Sequence, residues 1–180
     1  MNKITIRELE LGDINAIVNY WLHSPDDYLI GLGVDLNKLP TEDKIRSSLI
    51  EQINIGMEDK SSLSMVAVNG QEAIGQCILV DICKGETGYM HLHLWDKKQR
   101  NKGYGLQMVQ LSTAYFFEIF DLQKIICEPW SKNPAPHKVL TSAGFILEKE
   151  YHTTPGFLCV ENQLVSQYIL KKEHQVSISK

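Results

Sequence analysis

The sequence is poor in the features that crosslink, extend or anchor a chain. Its four cysteines, Cys77, Cys83, Cys127 and Cys159, form no CxxC pair and no zinc-finger spacing. Three lie in apolar runs, where cysteine behaves as a small buried hydrophobe, so reduced thiols and a cytoplasmic setting are expected. No apolar stretch approaches the roughly 18 residues of a membrane span. No signal segment is expected either, because Met1–Glu10 already reads as an alternating strand. Positive charge is not in excess: 18 Lys+Arg against 22 Asp+Glu leaves −4. That balance argues against a broad nucleic-acid surface and against a polybasic membrane patch. Twelve glycines and six prolines are too few for a linker-rich chain.

What remains is a globular composition, 43% hydrophobic and 22% charged over 180 residues, which fits one domain. We place that domain at residues 1–172, with a fraying tail at 173–180. Ile4–Leu9 alternates as a half-buried strand. Asp13 is positioned to cap a helix whose stripe is Ile14, Ile17, Val18, Trp21 and Leu22, stopped by Ser24-Pro25. Pro25 to Pro40 reads as a long irregular segment, and loops of that length are often functional. A second helix runs from Thr41 to about Met57. Ser64–Val68 and Ala73–Cys83 flank Asn69-Gly70, a strong hairpin turn. Gly75 inside the returning strand marks a bulge or a close backbone approach. Tyr89–Trp95 is a strand, Lys97–Lys102 a basic loop, and Gly103 opens a helix to about Phe120. Ile125–Cys127, a helix from Asn133 to Gly144, and a hairpin of Ile146–Thr153 with Val160–Leu170 complete an α/β (α+β) chain with a mixed sheet.

The informative segment is Gln99-Arg100-Asn101-Lys102-Gly103-Tyr104-Gly105. Glycines there let the backbone turn tightly and approach a ligand. A helix N-terminus adds unpaired N–H groups and a partial positive charge. Arg100 and Lys102 add full charges, and together these make a diphosphate site. The dinucleotide pattern GxGxxG fails, since Met108 stands at the third glycine. The Gly-Lys-Ser/Thr of a P-loop is absent.

Arg-x-x-Gly-x-Gly after a fourth strand resembles the acyl-CoA loop of the GNAT superfamily of N-acyltransferases. The element order and the downstream Asn133…Leu140…Gly144-Phe145 match the same family, over nearly the whole chain. The resemblance implies a mostly antiparallel twisted sheet of about seven strands, helices on both faces, and a V-shaped splay between strands four and five. It implies acetyl-CoA as cosubstrate and no metal; His91-x-His93 has no obvious third ligand. It implies that the amides of Arg100, Asn101, Lys102, Gly103, Tyr104 and Gly105 meet the CoA pyrophosphate. Backbone atoms of His93, Leu94 and Trp95 meet the pantetheine arm, an N–H near His93 faces the thioester oxygen, and Asn133 bonds the pantetheine or its neighbouring backbone. Where many members carry a tyrosine acid, this chain has Leu140; a thiolate leaving group needs no acid, or water serves.

Three residues are candidates for the base that deprotonates the acceptor amine: His91, His93 and Glu128. A neutral imidazole with a pKa of about 6.5 suits that task at pH 7. Glu128-Pro129…Asn133 looks like the acidic position of aminoglycoside and siderophore acetylases. Tyr28, Asp26, Asp35 and Trp130 are candidates for the acceptor wall, with Tyr151 and His137 lining the same cleft. The expected reaction is acetyl transfer to a primary amine of a small molecule, in a monomer or homodimer. A protein N-terminus as acceptor, or an acyl-CoA sensor without turnover, are the competing readings. No nucleic-acid or membrane partner is expected.

Overall fold

The computed structural model describes residues 3–175. Twelve regular elements build one seven-stranded sheet in the order β1-β2-β3-β4-β5-β7-β6. They are β1 (Thr5–Glu8), α1 (Ile14–His23), α2 (Asp26–Gly31), α3 (Glu42–Asn54), β2 (Leu63–Asn69), β3 (Glu72–Cys83), β4 (Thr87–Leu94), α4 (Tyr104–Phe120), β5 (Lys124–Cys127), α5 (Pro134–Ser142), β6 (Ile146–Thr153) and β7 (Gln163–Lys171). Every neighbouring pair is antiparallel except β4 with β5. No helix among the described residues is long and apolar enough to cross a membrane.

The two-residue period of β2 decides which layer each side chain joins. Leu63, Met65 and Ala67 enter a large core with α4 and α5, built around Met108, Phe116, Phe117, Leu140 and Phe145. Val66 points the other way, into a smaller core with Ile14, Ile17 and Val18 of α1 and Ile45 of α3. Helices therefore cover both faces. The four cysteines are all free thiols, with Cys77 and Cys127 buried.

Three local expectations are corrected. Pro25–Pro40 is not irregular throughout. Asp26–Gly31 is helical, with Pro25 before it and Asp26 and Asp27 in its first turn, where acidic groups suit the helix dipole. Gly33, at φ +87°, ends the segment, and a 3-10 turn follows at Leu36–Lys38. Asp13 does not cap α1: its carboxylate, 4% exposed, takes two hydrogen bonds from Arg7 at 2.6 and 2.8 Å and one from the Glu10 amide at 3.0 Å. A paired guanidinium outcompetes the orphan amides for that carboxylate. The helix opened by Thr41 ends at Asn54 rather than Met57. Beyond β7, Lys172–His174 make a 3-10 turn, and the rest of the expected tail, from 176, lies outside the described residues.

Gly75 serves both suggested purposes. The β2–β3 register slips between Ala67 and Val68, opposite it. A Cβ on Gly75 would also lie 2.4 Å from the His93 carbonyl oxygen, a backbone atom. We expect Gly75→Ala to force β3 and β4 apart and to cost about 1–3 kcal/mol. Thermal unfolding should then show a midpoint lowered by about 2–12 °C.

Candidate active site

The site begins where β4 and β5 part. Their parallel pairing covers only Thr87/Lys124, Gly88/Ile125 and Tyr89/Ile126. Strand β4 runs on to Leu94 while β5 stops at Cys127. From there the chain clings to β7 instead, with Ser166 N–H donating to Pro129 O at 3.1 Å and Ser131 N–H donating to Leu164 O at 3.0 Å. On its other edge β4 stays paired with β3, His93 opposite Gln76, and Trp95 N–H donates to Ile74 O at 3.0 Å. Antiparallel ladders alternate residue by residue. The backbone groups turned toward the open gap are therefore those of Leu92 and Leu94, which alternate with His93 and Trp95, whose groups face β3.

The loop after β4 supplies an anion cradle. Asp96 caps a 3-10 turn at Lys97–Gln99, accepting from Lys98 N–H at 2.8 Å. Asn101 and Gly103 then take φ +60° and +80°. Helix α4 starts at Tyr104 with no side chain capping it. The first helical amides have no intrahelical acceptor, so they remain for an external anion. A Cβ on Gly105 would meet only Leu94 Cδ1 and Val139 Cγ2, both at 3.7 Å. The protein's own packing thus does not demand glycine at 105. Asn133 Oδ1 is occupied, capping α5 through Ala135 N–H at 3.3 Å, while its amide NH₂ has no hydrogen bond among the described residues. Leu140 is fully buried in the large core, away from any proton-transfer chemistry.

Across the sheet, Tyr89, His91 and His93 share the α1 face of β4. His93 Nδ1 lies 3.0 Å from the Tyr20 hydroxyl, which lies 3.1 Å from the Tyr28 hydroxyl. The Trp21 ring meets the imidazole edge-on at 5.1 Å between centroids. Burial drives the His93 pKa down to about 3, and neighbouring His91 adds to the fall. Burial also lowers His91, against the opposing pull of Asp81 and Glu128. The Tyr20 hydroxyl is pushed up, mainly by burial. Both imidazoles are therefore neutral at pH 7, but only His91 faces carboxylates that favour its protonated form.

Glu128 follows β5 at the opposite lip of the gap. Its Oε1 accepts from the Tyr151 hydroxyl at 2.5 Å and from Gln167 Nε2 at 2.6 Å. Burial, then the bond to Glu128, push Tyr151 up to about 12. Both donors are neutral and both fall on one oxygen. No Lys, Arg or His forms an ion pair with Glu128 among the described residues.

The other expected residues divide. Tyr28 joins the hydroxyl chain on His93, and the Arg100 guanidinium lies 4.1 Å from the Tyr28 ring centroid. Asp26 sits exposed in the first turn of α2. Asp35 is spent locally, accepting from Asn37 N at 3.1 Å and Nδ2 at 3.2 Å. Trp130 makes an isolated bridge to Val165 and lies under the Lys132 ammonium. His137 binds the Tyr168 hydroxyl at 3.0 Å. Tyr20, Gln167 and Asp81 escaped the sequence reading. Tyr20 gave no signal, since it falls off the stripe of Ile14, Ile17, Val18, Trp21 and Leu22, and only the structure shows it buried. Gln167 and Asp81 gave none, since only the fold brings them to the site. Among the described residues no cluster of three His, Cys, Asp or Glu side chains could hold a metal.

The chain matches the acetyltransferase (GNAT) domain family over residues 3–146 and belongs to it. It is an N-acetyltransferase with acetyl-CoA as its cosubstrate. No curated protein matches it significantly in sequence. Among solved structures it is similar to spermidine N-acetyltransferase from Vibrio cholerae in complex with CoA and spermine. The identity is 18%, the TM-score 0.78, and 97% of this chain and 99% of that one are covered. It is similar to RimL, a ribosomal L7/L12 alpha-N-protein acetyltransferase in complex with coenzyme A, at 14% identity and TM-score 0.77, covering 95% of each chain. It is also similar to the ribosomal-protein-S5-alanine acetyltransferase from Vibrio fischeri, at 16% identity and TM-score 0.76, covering 98% of this chain and 97% of that one.

The depressed His93 pKa has a measurable consequence. Its folded value of about 3 lies below the unfolded value of 6.5. Stability is thus full above about pH 6.5 and is lost as pH falls through the window between the two values. Below pH 6 the unfolding free energy should fall more steeply in the wild type than in His93→Gln, by up to about 1.4 kcal/mol per pH unit. Urea titrations at stepped pH values check this; parallel pH dependences would contradict it.

Proposed function

We propose that this enzyme moves the acetyl group to a primary amine of a small molecule, by direct attack in a ternary complex. The observation that carries the reading is Glu128: a carboxylate at the lip of the β4–β5 gap, bonded only by neutral donors on Oε1. An ammonium arriving at Oε2 would supply the missing charge. His91, neutral and facing the same carboxylate, then takes the proton as the amine attacks. His93 is held too far below neutrality to serve as base, so its role is to orient the wall through Tyr20.

On the cosubstrate side, the Arg100 amide is taken by Lys97 O at 3.2 Å, so the amides of Asn101 to Gly105 hold the pyrophosphate, and Leu92 and Leu94 offer backbone partners to the pantetheine amides. One of these N–H groups faces the thioester oxygen, where negative charge develops during attack. The Asn133 amide NH₂ adds a further donor. With Leu140 in the core, the departing thiolate takes its proton from water.

The size of the acceptor is argued from the wall above the site. Val34 bridges Cys159, with Asp35 N–H donating to Leu158 O at 2.8 Å and Val160 N–H donating to Gly33 O at 2.9 Å. Lys38 Nζ adds a bond to Cys159 O at 3.1 Å. This tie fixes the α2 segment to the β6–β7 loop, and a fixed rim supports a slender amine. A protein N-terminus, the acceptor of an alpha-N-protein acetyltransferase such as RimL, would need a wider approach. The four free thiols support a cytoplasmic setting.

The test is CoA release from acetyl-CoA with polyamines, aminoglycosides, lysine derivatives and N-terminal peptides as acceptors. We expect release with a small amine, and a loss of about 10²–10⁴-fold in kcat/KM on Glu128→Gln or His91→Phe. Release with peptides alone would overturn the small-molecule reading, and tight binding without release for any acceptor would favour a sensor. Gly105→Ala isolates the cradle. Alanine is the better helix former, so the unfolding midpoint should hold or rise while the KM for acetyl-CoA rises about tenfold as the methyl group crowds the phosphate.

A further inference from the structure

We propose that Arg100 links the cosubstrate loop to the acceptor wall, so that filling the cradle draws its guanidinium off Tyr28 and frees that wall to receive the amine. The inference rests on the cradle being the CoA pyrophosphate site. Arg100 is half-buried and opens the cradle loop, directly after the 3-10 turn at Lys97–Gln99. Its guanidinium rests on the ring of Tyr28, on α2, 4.1 Å from the centroid. Its one polar contact is a long one, 3.4 Å from Nη2 to Leu94 O. No carboxylate pairs with it among the described residues. A guanidinium with five donors thus meets a ring face and one distant carbonyl.

Both groups it occupies matter to the reaction. Leu94 O faces the β4–β5 gap, where a pantetheine amide would donate. Tyr28 carries the hydroxyl chain to Tyr20 and on to His93, and the positive charge of Arg100 is felt as far as Tyr20. A diphosphate at the neighbouring amides is a much stronger partner, because it accepts charge-assisted, bidentate hydrogen bonds. The exchange therefore runs one way: the pyrophosphate gains Arg100, while Leu94 O and Tyr28 lose it. By linkage, whatever Arg100 gives Tyr28 in the free enzyme is subtracted from CoA affinity.

The test is a double-mutant cycle read by calorimetric titration with CoA. Tyr28→Leu removes the competing ring and should tighten CoA binding about two- to fivefold, the range an exposed cation–π contact represents. Tyr28→Phe keeps the ring and should bind CoA like the wild type. Arg100→Ala should weaken CoA binding, and in that background Tyr28→Leu should change nothing. CoA binding that is indifferent to Tyr28→Leu, or that shifts equally with and without Arg100, overturns the link and leaves the cradle standing. A wild type that does not bind CoA overturns the cradle and the link together.

Discussion

The site depends on a broken pairing. Three residues of parallel ladder hold β4 to β5, after which the strands separate. The cause is local. Strand β5 is four residues long, and Pro129, just beyond it, has no N–H to give a ladder. The chain past Cys127 finds its partners on β7 instead, so β4 is left with one bare edge in the middle of the sheet. An unpaired strand edge inside a protein is a liability unless something binds it. Here the open amides and carbonyls of Leu92 and Leu94 match an arm that itself carries amides. The cradle at the start of α4 lies where the same edge ends, so one interruption in the sheet places the bare edge and the cradle in line, as the proposed reading requires.

The opposite face of β4 is arranged by desolvation rather than by charge pairing. His93 is kept neutral in an aromatic setting of Tyr20, Trp21 and Tyr28. His91, one pleat away, sits between that setting and the carboxylates of Asp81 and Glu128. Two histidines of the same strand and the same face thus differ in their chemistry because of what lies beyond them. Asp81 reaches its position from a register slip between Val80 and Cys83, with φ +49°.

Much of this was legible in the chain because it is local. The Arg100–Gly105 loop, the Asn69-Gly70 turn and the Gly75 approach write their geometry into consecutive residues. The layering of β2 is not so written, because its run Leu63–Ala67 is buried on both faces with little alternation. What escaped depends on contacts distant in sequence. Helix α2 is six residues long, between a proline and two glycines, so composition reads as loop while packing of the buried Leu29 makes it helical. Asp13 was misassigned because its competitor, Arg7, approaches only when β1 lies beside α1. Tyr151 and Gln167 meet Glu128 through the β5–β7–β6 order, which no short pattern encodes. The direction of the Arg100 side chain likewise depends on where α2 lies.

The tie between Val34 and Cys159 joins segments from opposite ends of the chain into one rim. Gly33 fits beneath it only because it lacks a side chain: a Cβ there would lie 2.5 Å from Gln163 Oε1. The rim is therefore a single heritable unit in two pieces. A change in one loop strands the backbone groups of the other, so grafting either loop alone from a relative would lose the fit.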